Sequence, residues 1–216
     1  MSMKPDIDIG DLPGEIPLFP LGGVLLLPGG QLPLNIFEER YIAMIDDALS
    51  GTRLIGMLQP KSEDESQELF NIGCAGKITS FEEQDDGRYI ITLTGICRFE
   101  LSEELALKNG YRRAQINWNK YQSDLNRKQC LDLDRQRLKD LLQNYFSMQE
   151  ISCDWDAIDG ASDQKLITCL SMICPFDAGE KQALLEAECC NTRADMFLAM
   201  LEMAINNGHA LSGECH

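Results

Sequence analysis

The pattern of apolar residues changes near residue 121 and predicts strands before that point and helices after it. In the first half, short apolar runs are interrupted by proline and glycine. A long helix cannot pass through them, because proline lacks an N–H group and glycine readily adopts positive φ. In the second half, apolar residues recur at intervals of three and four, as in amphipathic helices. The sequence therefore predicts an α+β fold with a β-rich part before a helical part.

The first half contains the predicted strands and one predicted helix. Residues 16–34 read as short buried strands joined by tight turns, and the Asp86-Gly87 pair predicts a hairpin. A helix over residues 37–50 follows from apolar residues at helical spacing, with Phe37 on its apolar face, Asn35 as N-cap and Gly51 at its end. The remaining strands are predicted at 54–58, 74–81, 88–94, 98–101 and 111–118.

Four further helices are predicted in the second half. Their bounds are 134–149, 162–174 before Pro175, a third that opens on an Asp177-to-Glu180 capping box, and 191–206 before Gly208. The predicted organisation is a flexible lead-in (1–14), a β-rich subdomain (15–121), a helical subdomain (122–208) and a flexible tail (209–216).

Charge is distributed unevenly along the chain. The net charge is −16, which argues against binding nucleic acid through a general electrostatic attraction. Residues 108–139, however, carry nine basic residues against three aspartates, a local charge of +6. Two interpretations stay open: a solvated face and linker, or a docking patch for an acidic partner. The candidate patch residues are Arg112, Arg113, Lys120, Arg127 and Lys128.

Composition also indicates the compartment. The sequence has no apolar run of 18 residues that would span a membrane, and its N-terminus lacks the apolar core of a signal peptide. We therefore expect a cytoplasmic protein without a membrane partner. The nine cysteines have no CxxC spacing and are interpreted as reduced, mostly buried thiols, with a redox role left open for the Cys189–Cys190 pair.

Motifs for catalysis, nucleotides and metals are missing from the sequence. The two histidines, His209 and His216, lie at the end of the chain, which argues against a Ser-His-Asp or Cys-His catalytic group. The S-x-x-K pattern at Ser162 is interpreted as a helix N-cap. The aspartates at 154–160 do not follow the spacing of a calcium loop, and no phosphate-binding loop occurs. We expect no cofactor, no metal and no enzymatic activity.

Several segments follow one another in an order that carries a family resemblance. They are PLFPL at 17–21, VLLLPG at 24–29, LPL at 32–34, IFEERY at 36–41, DGR at 86–88, GICRF at 95–99 and KQALLE at 181–186. Over about residues 15–205 this order resembles the N-terminal domain of the Lon protease family, and more closely its short bacterial stand-alone members.

The resemblance implies a fold and a function. The implied fold is a PUA-like β pseudo-barrel with one packed helix, followed by a helical bundle. The implied function is a non-catalytic module that recognises polypeptide or protein partners, with a proteolytic system among the candidates. The sequence contains neither the ATPase module nor the Ser-Lys protease domain of full-length Lon, so the family's peptidase activity is not expected here.

Five residues are candidates for peptide contacts under this resemblance. They are Glu38, Arg40 and Tyr41 on the first helix, and Arg98 and Phe99 after the hairpin. In the alternative interpretation the arginines pair with carboxylates, while Tyr41 and Phe99 fill the core.

Two other function classes stay open. PUA-like barrels include RNA readers, and the basic segment 108–139 carries aromatic residues, which would suit an RNA-binding protein. An uncharacterised hydrolase is the third possibility. The sequence assigns no oligomeric state.

Overall fold

The computed structural model describes residues 8–62, 68–125 and 131–212, with the side chains of 208–212 left out. The strands are β1 (Glu15–Pro20), β2 (Gln31–Ile36), β3 (Leu54–Leu58), β4 (Ile72–Glu83), β5 (Tyr89–Glu104) and β6 (Arg112–Asn117). The helices are α1 (Glu39–Leu49), α2 (Arg135–Met148), α3 (Trp155–Gly160), α4 (Asp163–Ile173), α5 (Ala178–Glu186) and α6 (Cys190–Ser212). This order confirms the predicted α+β class. The division into subdomains at residue 121 stays a prediction.

The six strands form one sheet that closes on itself. Their order is β2-β5-β4-β3-β1-β6, and β6 pairs again with β5, which makes a barrel of five strands with β2 outside it. Only the β1–β3 pairing is parallel among the described strands. β5 contributes to both regions, because its first half pairs with β2 and its second half with β6.

One continuous strand replaces two predicted ones. Residues 88–94 and 98–101 were expected to be separate strands, but both belong to the 16-residue strand β5. Gly95, which the prediction treated as a break, lies within the ladder opposite Gly76. A glycine inside a strand weakens it without ending it, and here it allows the close approach of another main-chain segment: a Cβ at position 95 would lie 2.0 Å from the Leu27 carbonyl oxygen.

The prolines lie where a strand has only one neighbour. In β1, Pro17 pairs with β6 alone and Pro20 with β3 alone, so the missing N–H of each need not break a ladder. Pro33 lies in β2, which pairs only with β5 among the described strands. Such an edge is where a sheet tolerates proline.

The apolar run at 24–28 is buried without being a strand. Leu25, Leu26 and Leu27 are 2%, 2% and 0% exposed, yet the segment has no ladder of its own, so the predicted strand there is wrong. A tight turn at Gly29 (φ 81°) follows, and the Gly30 amide donates to the Leu27 carbonyl at 2.9 Å. In the sequence, a short run of buried apolar residues looks the same whether it forms a strand or a packed loop.

The start of α1 differs from the prediction. Asn35 was expected to cap the helix, but it belongs to β2, and Glu38 occupies the N-cap position. Phe37 therefore precedes the helix and points away from the core, with 65% of its surface exposed. The predicted buried face is otherwise confirmed for Tyr41, Met44, Ile45 and Ala48.

Most of the predicted helices in the second half are confirmed. Asp134 caps α2 by accepting from the Arg137 amide, and the Asp177–Glu180 capping box opens α5. Ser162 occupies the predicted N-cap position of α4, without a capping hydrogen bond from its side chain. The predicted end of the last helix is wrong, because α6 continues past Gly208 to Ser212, and a glycine only weakens a helix. No helix in the described part of the chain is long and apolar enough to cross a membrane.

The barrel and the helices meet along α5 through buried polar contacts. Arg98 of β5 donates to the carbonyls of Leu185 (2.9 Å) and Ala187 (2.5 Å). From α5, Lys181 donates to the Gly23 carbonyl (2.7 Å) and Gln182 to the Ile72 carbonyl (3.1 Å). Polar groups can be buried at this seam because hydrogen bonds satisfy them.

Candidate functional site

The exposed start of α1 carries two of the predicted peptide-contact residues. The Arg40 guanidinium pairs with the Glu38 carboxylate, at 2.9 Å from Nε and 2.7 Å from the terminal nitrogen. Both side chains are almost half exposed, 45% and 44%. Arg40 also lies 4.6 Å from the centroid of the Tyr41 ring, a cation–π distance. A ligand can therefore reach both charges of this pair.

Tyr41 itself belongs to the core. It is 8% exposed, and its ring centroid lies 4.3 Å from that of Phe19. Burial raises the pKa of Tyr41 above its ordinary value, which keeps the hydroxyl protonated at neutral pH. Its packing supports the alternative interpretation at this position.

A tight turn packs along α1 beside this pair. Lys108 forms an ion pair with Asp47 at 3.1 Å, and the Tyr111 hydroxyl donates to Asp47 at 2.6 Å. The turn is shaped by positive φ at Asn109 (50°) and Gly110 (84°). A Cβ on Gly110 would lie 3.3 Å from the Cβ of Arg40, so the main chain passes directly against the helix.

Two large apolar side chains lie next to these groups along the chain. Phe37, directly before Glu38, is 65% exposed, and Leu107, directly before the turn, is 66% exposed. We call Phe37, Glu38, Arg40, Leu107 and Gly110 the α1 surface. Apolar side chains beside an accessible ion pair form the kind of surface that binds protein ligands.

Sequence reasoning missed the two apolar members of this surface. Phe37 was assigned to the buried face of the helix. Leu107 lies in a polar segment, SEELALKNG, and was not singled out, although an isolated leucine before an Asn-Gly turn was the available signal.

The other two predicted peptide-contact residues lie inside the molecule. Arg98 is 2% exposed and Phe99 is completely buried. Phe99 fills the barrel where β3 and β4 carry glycines, since a Cβ at Gly56 or Gly73 would come within 2.9 and 2.6 Å of its ring. These positions support the packing alternative. A role of Arg98 or Phe99 in peptide contact stays a prediction.

A second buried arginine accompanies Arg98. Arg193 is 5% exposed, and its Nε donates to the Leu184 carbonyl at 2.8 Å. Burial and the neighbouring positive charge of Arg98 lower the pKa of Arg193. Burial also acts to lower the pKa of Arg98, but the hydrogen bond and the charge of Asp124 outweigh it and raise this pKa above the ordinary value. The two arginines thus hold the C-terminal carbonyls of α5.

The positive charges of the basic segment are paired with carboxylates in the folded structure. Seven of its lysines and arginines lie in the described residues, and each forms an ion pair with a carboxylate. The partners come from the whole chain: Asp47, Glu104, Glu15, Glu100, Asp163, Glu202 and Asp159, for Lys108, Arg112, Arg113, Lys120, Arg135, Arg137 and Lys139 respectively. The segment's charge of +6 therefore does not form an isolated positive surface among these residues.

The candidate docking patch is consequently divided. Arg112 contacts Glu104 and Arg113 contacts Glu15, from two consecutive positions of β6. Lys120 is 3.8 Å from Glu100. Arg127 and Lys128 lie outside the described residues. Docking of an acidic partner here stays a prediction, and the observed pairing supports a solvated face.

No disulfide bond joins the described cysteines. Burial raises the pKa of Cys97 and of Cys174 to about 12, and the pKa of Cys74 well above its ordinary value. Cys189 differs, because it is exposed and its pKa is lowered by hydrogen bonds from the hydroxyl and amide of Thr192. No group of side chains in the described part could hold a metal ion.

Comparison with known proteins gives a consistent match. Residues 15–203 match the family of the ATP-dependent protease La (LON) substrate-binding domain. The chain is 26% identical to a Lon protease of Cytophaga hutchinsonii over 208 residues, 93% of this chain and 25% of that protein. It is 29% identical to a Lon protease of Anaeromyxobacter dehalogenans over 121 residues, 53% of this chain and 14% of that protein. The chain thus spans a quarter or less of the length of these relatives.

Two solved structures share the fold. One is the crystal structure of a Lon N-terminal domain protein from Xanthomonas campestris, with a TM-score of 0.61 and 20% identity, covering 86% of this chain and 97% of that one. The other is the N-terminal domain of a Mycobacterium avium complex Lon protease, with a TM-score of 0.59 and 14% identity, covering 89% of this chain and 98% of that one. At these identities the likeness shows the fold.

Proposed function

We propose that this chain, which belongs to the family of the Lon protease substrate-binding domain, binds polypeptide through the α1 surface and has no peptidase activity of its own. Family membership confirms the resemblance predicted from the sequence. The observation that carries the proposed site is the pair of exposed apolar side chains, Phe37 at 65% and Leu107 at 66%, beside the accessible Glu38–Arg40 pair.

The chemistry of this surface suits weak recognition of many polypeptides. Two exposed apolar side chains can bury apolar surface when a polypeptide binds, without the need for a deep pocket. They therefore impose little selectivity for the sequence of that polypeptide. The Glu38 and Arg40 side chains can exchange their mutual pairing for hydrogen bonds with a bound main chain or side chain. An exposed ion pair is worth little by itself, so this exchange costs little.

The described residues also support a binding role without catalysis. The thiols of Cys74, Cys97 and Cys174 are buried with raised pKa values, which makes them poor nucleophiles. The free state of the described cysteines supports a reducing compartment, and we propose the cytoplasm. Because the relatives are Lon proteases, we propose a protease as the partner that receives bound polypeptide.

The site is tested with a permanently unfolded protein as probe. Reduced, carboxymethylated lactalbumin is immobilised, and binding of the wild-type chain is compared with Phe37→Ser and Leu107→Ser. We expect each substitution to weaken binding about tenfold, since a well-placed apolar contact contributes roughly 1–3 kcal/mol. Matched controls are Ile173→Ser and Met203→Ser, because these side chains are exposed to a similar extent, 69% and 64%, on α4 and α6.

The outcomes distinguish binding at the α1 surface from nonspecific binding to any exposed apolar side chain. Equal losses in all four variants would show that binding follows exposed apolar area anywhere on the molecule, and would contradict the proposed site. Unchanged binding in Phe37→Ser and Leu107→Ser would contradict it as well. Thermal unfolding of each variant checks the fold, which exposed substitutions should leave within about 0.5 kcal/mol.

A further inference from the structure

We propose that the outer edge of β2 receives an extended polypeptide segment as an additional strand, with a basic residue of that segment at the Ile36 end. This inference rests on the proposed function and states how the polypeptide is held. β2 leads directly into Phe37 and Glu38, so a segment along this edge continues onto the α1 surface.

The register of β2 identifies the main-chain groups that face outward. The Gly29 amide donates to the Gly95 carbonyl at 2.9 Å, and the Gly95 amide donates to the Gly30 carbonyl at 2.9 Å. Gly29 and Gly30 therefore share Gly95 as a partner in a bulge that directs the Gly30 carbonyl toward β5, and the antiparallel ladder alternates from there. The even-numbered residues of β2 direct their main-chain groups toward β5. The odd-numbered residues, Gln31, Pro33 and Asn35, direct theirs away from it.

These outward groups have no hydrogen-bond partner in the described part of the chain. β2 pairs with β5 alone there, and no described residue makes a hydrogen bond to the main chain of Gln31, Pro33 or Asn35. A row of unpaired N–H and C=O groups is a template for another strand. Only an extended chain presents donors and acceptors at the matching spacing, which is the basis of β-strand addition.

Half-buried leucines lie beside the same edge. Leu32 is directly opposite Leu93 and Leu34 directly opposite Ile91, so these side chains share the core face of the sheet. Leu93 and Ile91 are completely buried, whereas the two leucines of β2 are only partly covered, because none of the described strands lies beyond them. An added strand with apolar residues at alternate positions would cover Leu32 and Leu34.

The charges at the Ile36 end select a basic residue. The exposed residues Glu38 and Glu39 follow directly after this end of β2, and Tyr89, opposite Ile36, donates its hydroxyl to Asp46 of α1 at 3.0 Å. No described lysine or arginine forms an ion pair with Glu39 or Asp46. Opposite charge on the incoming segment adds specificity and speeds association. The expected occupant is an extended apolar segment that carries lysine or arginine.

Pro33 limits what else can pair here. It removes the middle of the three outward N–H groups, so a second copy of β2 would lose hydrogen bonds on both sides of the pair. Proline at an edge is a common protection against strand-to-strand aggregation. An incoming segment loses only one hydrogen bond and keeps those to Gln31 and Asn35. The edge therefore discriminates against long self-pairing more than against a polypeptide ligand.

The test uses a defined peptide and two opposite substitutions. The probe is a fluorescently labelled octapeptide of alternating valine and threonine with lysine at both ends, measured by anisotropy. Gln31→Pro removes one outward N–H at the first residue of the strand, where proline is tolerated, and should weaken binding about fivefold. Pro33→Thr adds an outward N–H and should strengthen binding by a similar factor. A glutamate-flanked version of the peptide should bind more weakly, most clearly at low salt.

Hydrogen exchange provides a readout at single amides. In the free protein the amides of Gln31 and Asn35 should exchange fast, while those of Leu32, Leu34 and Ile36 are protected by β5. Addition of the octapeptide should slow exchange at the amides of Gln31 and Asn35 and leave the exchange rates of the other three amides unchanged. A matched peptide with N-methyl groups at every residue should give neither effect, because neither of its edges can then donate hydrogen bonds.

The results distinguish this inference from the function on which it rests. If the chain binds unfolded lactalbumin through Phe37 and Leu107 but Gln31→Pro and Pro33→Thr leave octapeptide affinity unchanged, strand addition is overturned and the proposed function stands. If Pro33→Thr only makes the chain dimerise, with no gain for the peptide, the occupant is a second copy and the inference is overturned. If lactalbumin binding ignores Phe37 and Leu107, the proposed function itself is overturned.

Discussion

The guanidinium of Arg98 and the carboxylate of Asp124 form a bidentate ion pair with both contacts at 2.8 Å. The side chains are 2% and 5% exposed, so water does not screen the pair. Asp124 also accepts from the main-chain amide of Arg98 at 3.0 Å, and Arg98 stacks 4.2 Å from the centroid of the Tyr121 ring. Through its further bonds to the Leu185 and Ala187 carbonyls, Arg98 links the barrel to the helices.

Removal of Arg98 should destabilise the fold strongly. Arg98→Met leaves the Asp124 carboxylate buried without a counter-ion and removes two donors from the carbonyls at the end of α5. Breaking a buried pair in this way costs about 3–5 kcal/mol. Urea denaturation followed by circular dichroism measures the loss.

Two controls locate the cause of that loss. Arg98→Met combined with Asp124→Asn removes the stranded charge but keeps an acceptor for the amide of residue 98, so part of the stability should return. Arg88→Met breaks an exposed pair with Asp86 and should have no measurable effect. If Arg98→Met alone were as stable as wild type, the pair would not hold the two parts together.

The contact between Tyr111 and Asp47 should make stability depend on pH. The hydrogen bond from Tyr111, followed by that from Lys108, lowers the pKa of Asp47 below its ordinary value of 3.8. Because the folded-state pKa is depressed, this contribution is present above about pH 4 and is lost as the pH falls through the folded-state pKa. Burial and the same hydrogen bond raise the pKa of Tyr111, so its contribution is present below about pH 10 and is lost as the pH rises further.

A comparison of wild type with Tyr111→Phe isolates this effect. The stability difference between the two proteins should be constant between about pH 5 and 9 and should shrink outside that range in both directions. Thermal melts across pH provide the measurement. A difference that stays constant down to pH 2 would show that the hydrogen bond does not act on the Asp47 carboxylate.

Cys189 should be the first of the described cysteines to react with iodoacetamide. It is exposed, and hydrogen bonds from Thr192 lower its pKa from the ordinary value of 9.0, so more thiolate is present at neutral pH. Its neighbour Cys190 is buried, with its pKa raised by burial. Time-resolved mass mapping of the alkylated peptides gives the order, and Thr192→Val should slow the reaction at Cys189. Faster labelling of Cys74 or Cys97 would contradict the buried positions of those thiols.

Alanine at position 95 should not fit between β5 and the loop that follows β1. Its Cβ would meet the Leu27 carbonyl oxygen at 2.0 Å, and the main chain must move because both sides of this contact are backbone. We expect a loss of about 2–4 kcal/mol in the free energy of unfolding. Gly10→Ala is the matched control, since a Cβ there has no neighbour within 4 Å. Equal stability of the two variants would contradict the close approach at Gly95.

Local signals in the sequence predicted most of the individual elements. The strand at 54–58 and the Asp177–Glu180 capping box were both confirmed, because each depends on residues that lie close together in the chain. The family resemblance, which depends on short segments in a fixed order along the chain, was confirmed as well. The loop at 24–28 was misread because burial alone does not distinguish a strand from a packed loop.

The candidate site was less accessible to sequence reasoning. Arg98 donates to the carbonyls of Leu185 and Ala187, almost ninety positions away in the chain, and no local sequence pattern predicts such a contact. The ion pairs of the basic segment could not be predicted for the same reason, because their carboxylates include Glu15 and Glu202. The exposure of Phe37 depended on where α1 begins, and the bounds of helices are the least certain part of any pattern.

The seam between barrel and helices has an evolutionary consequence. Its donors are the side chains of Gln59, Arg98, Lys181 and Gln182, whereas most of its acceptors are main-chain carbonyls. A carbonyl is supplied by any amino acid, so the identity of the accepting residue does not determine the hydrogen bond as long as the backbone keeps its path. Selection on these bonds therefore acts on a few long polar side chains, whereas acceptors such as Ile72 and Leu185 are constrained by their own burial.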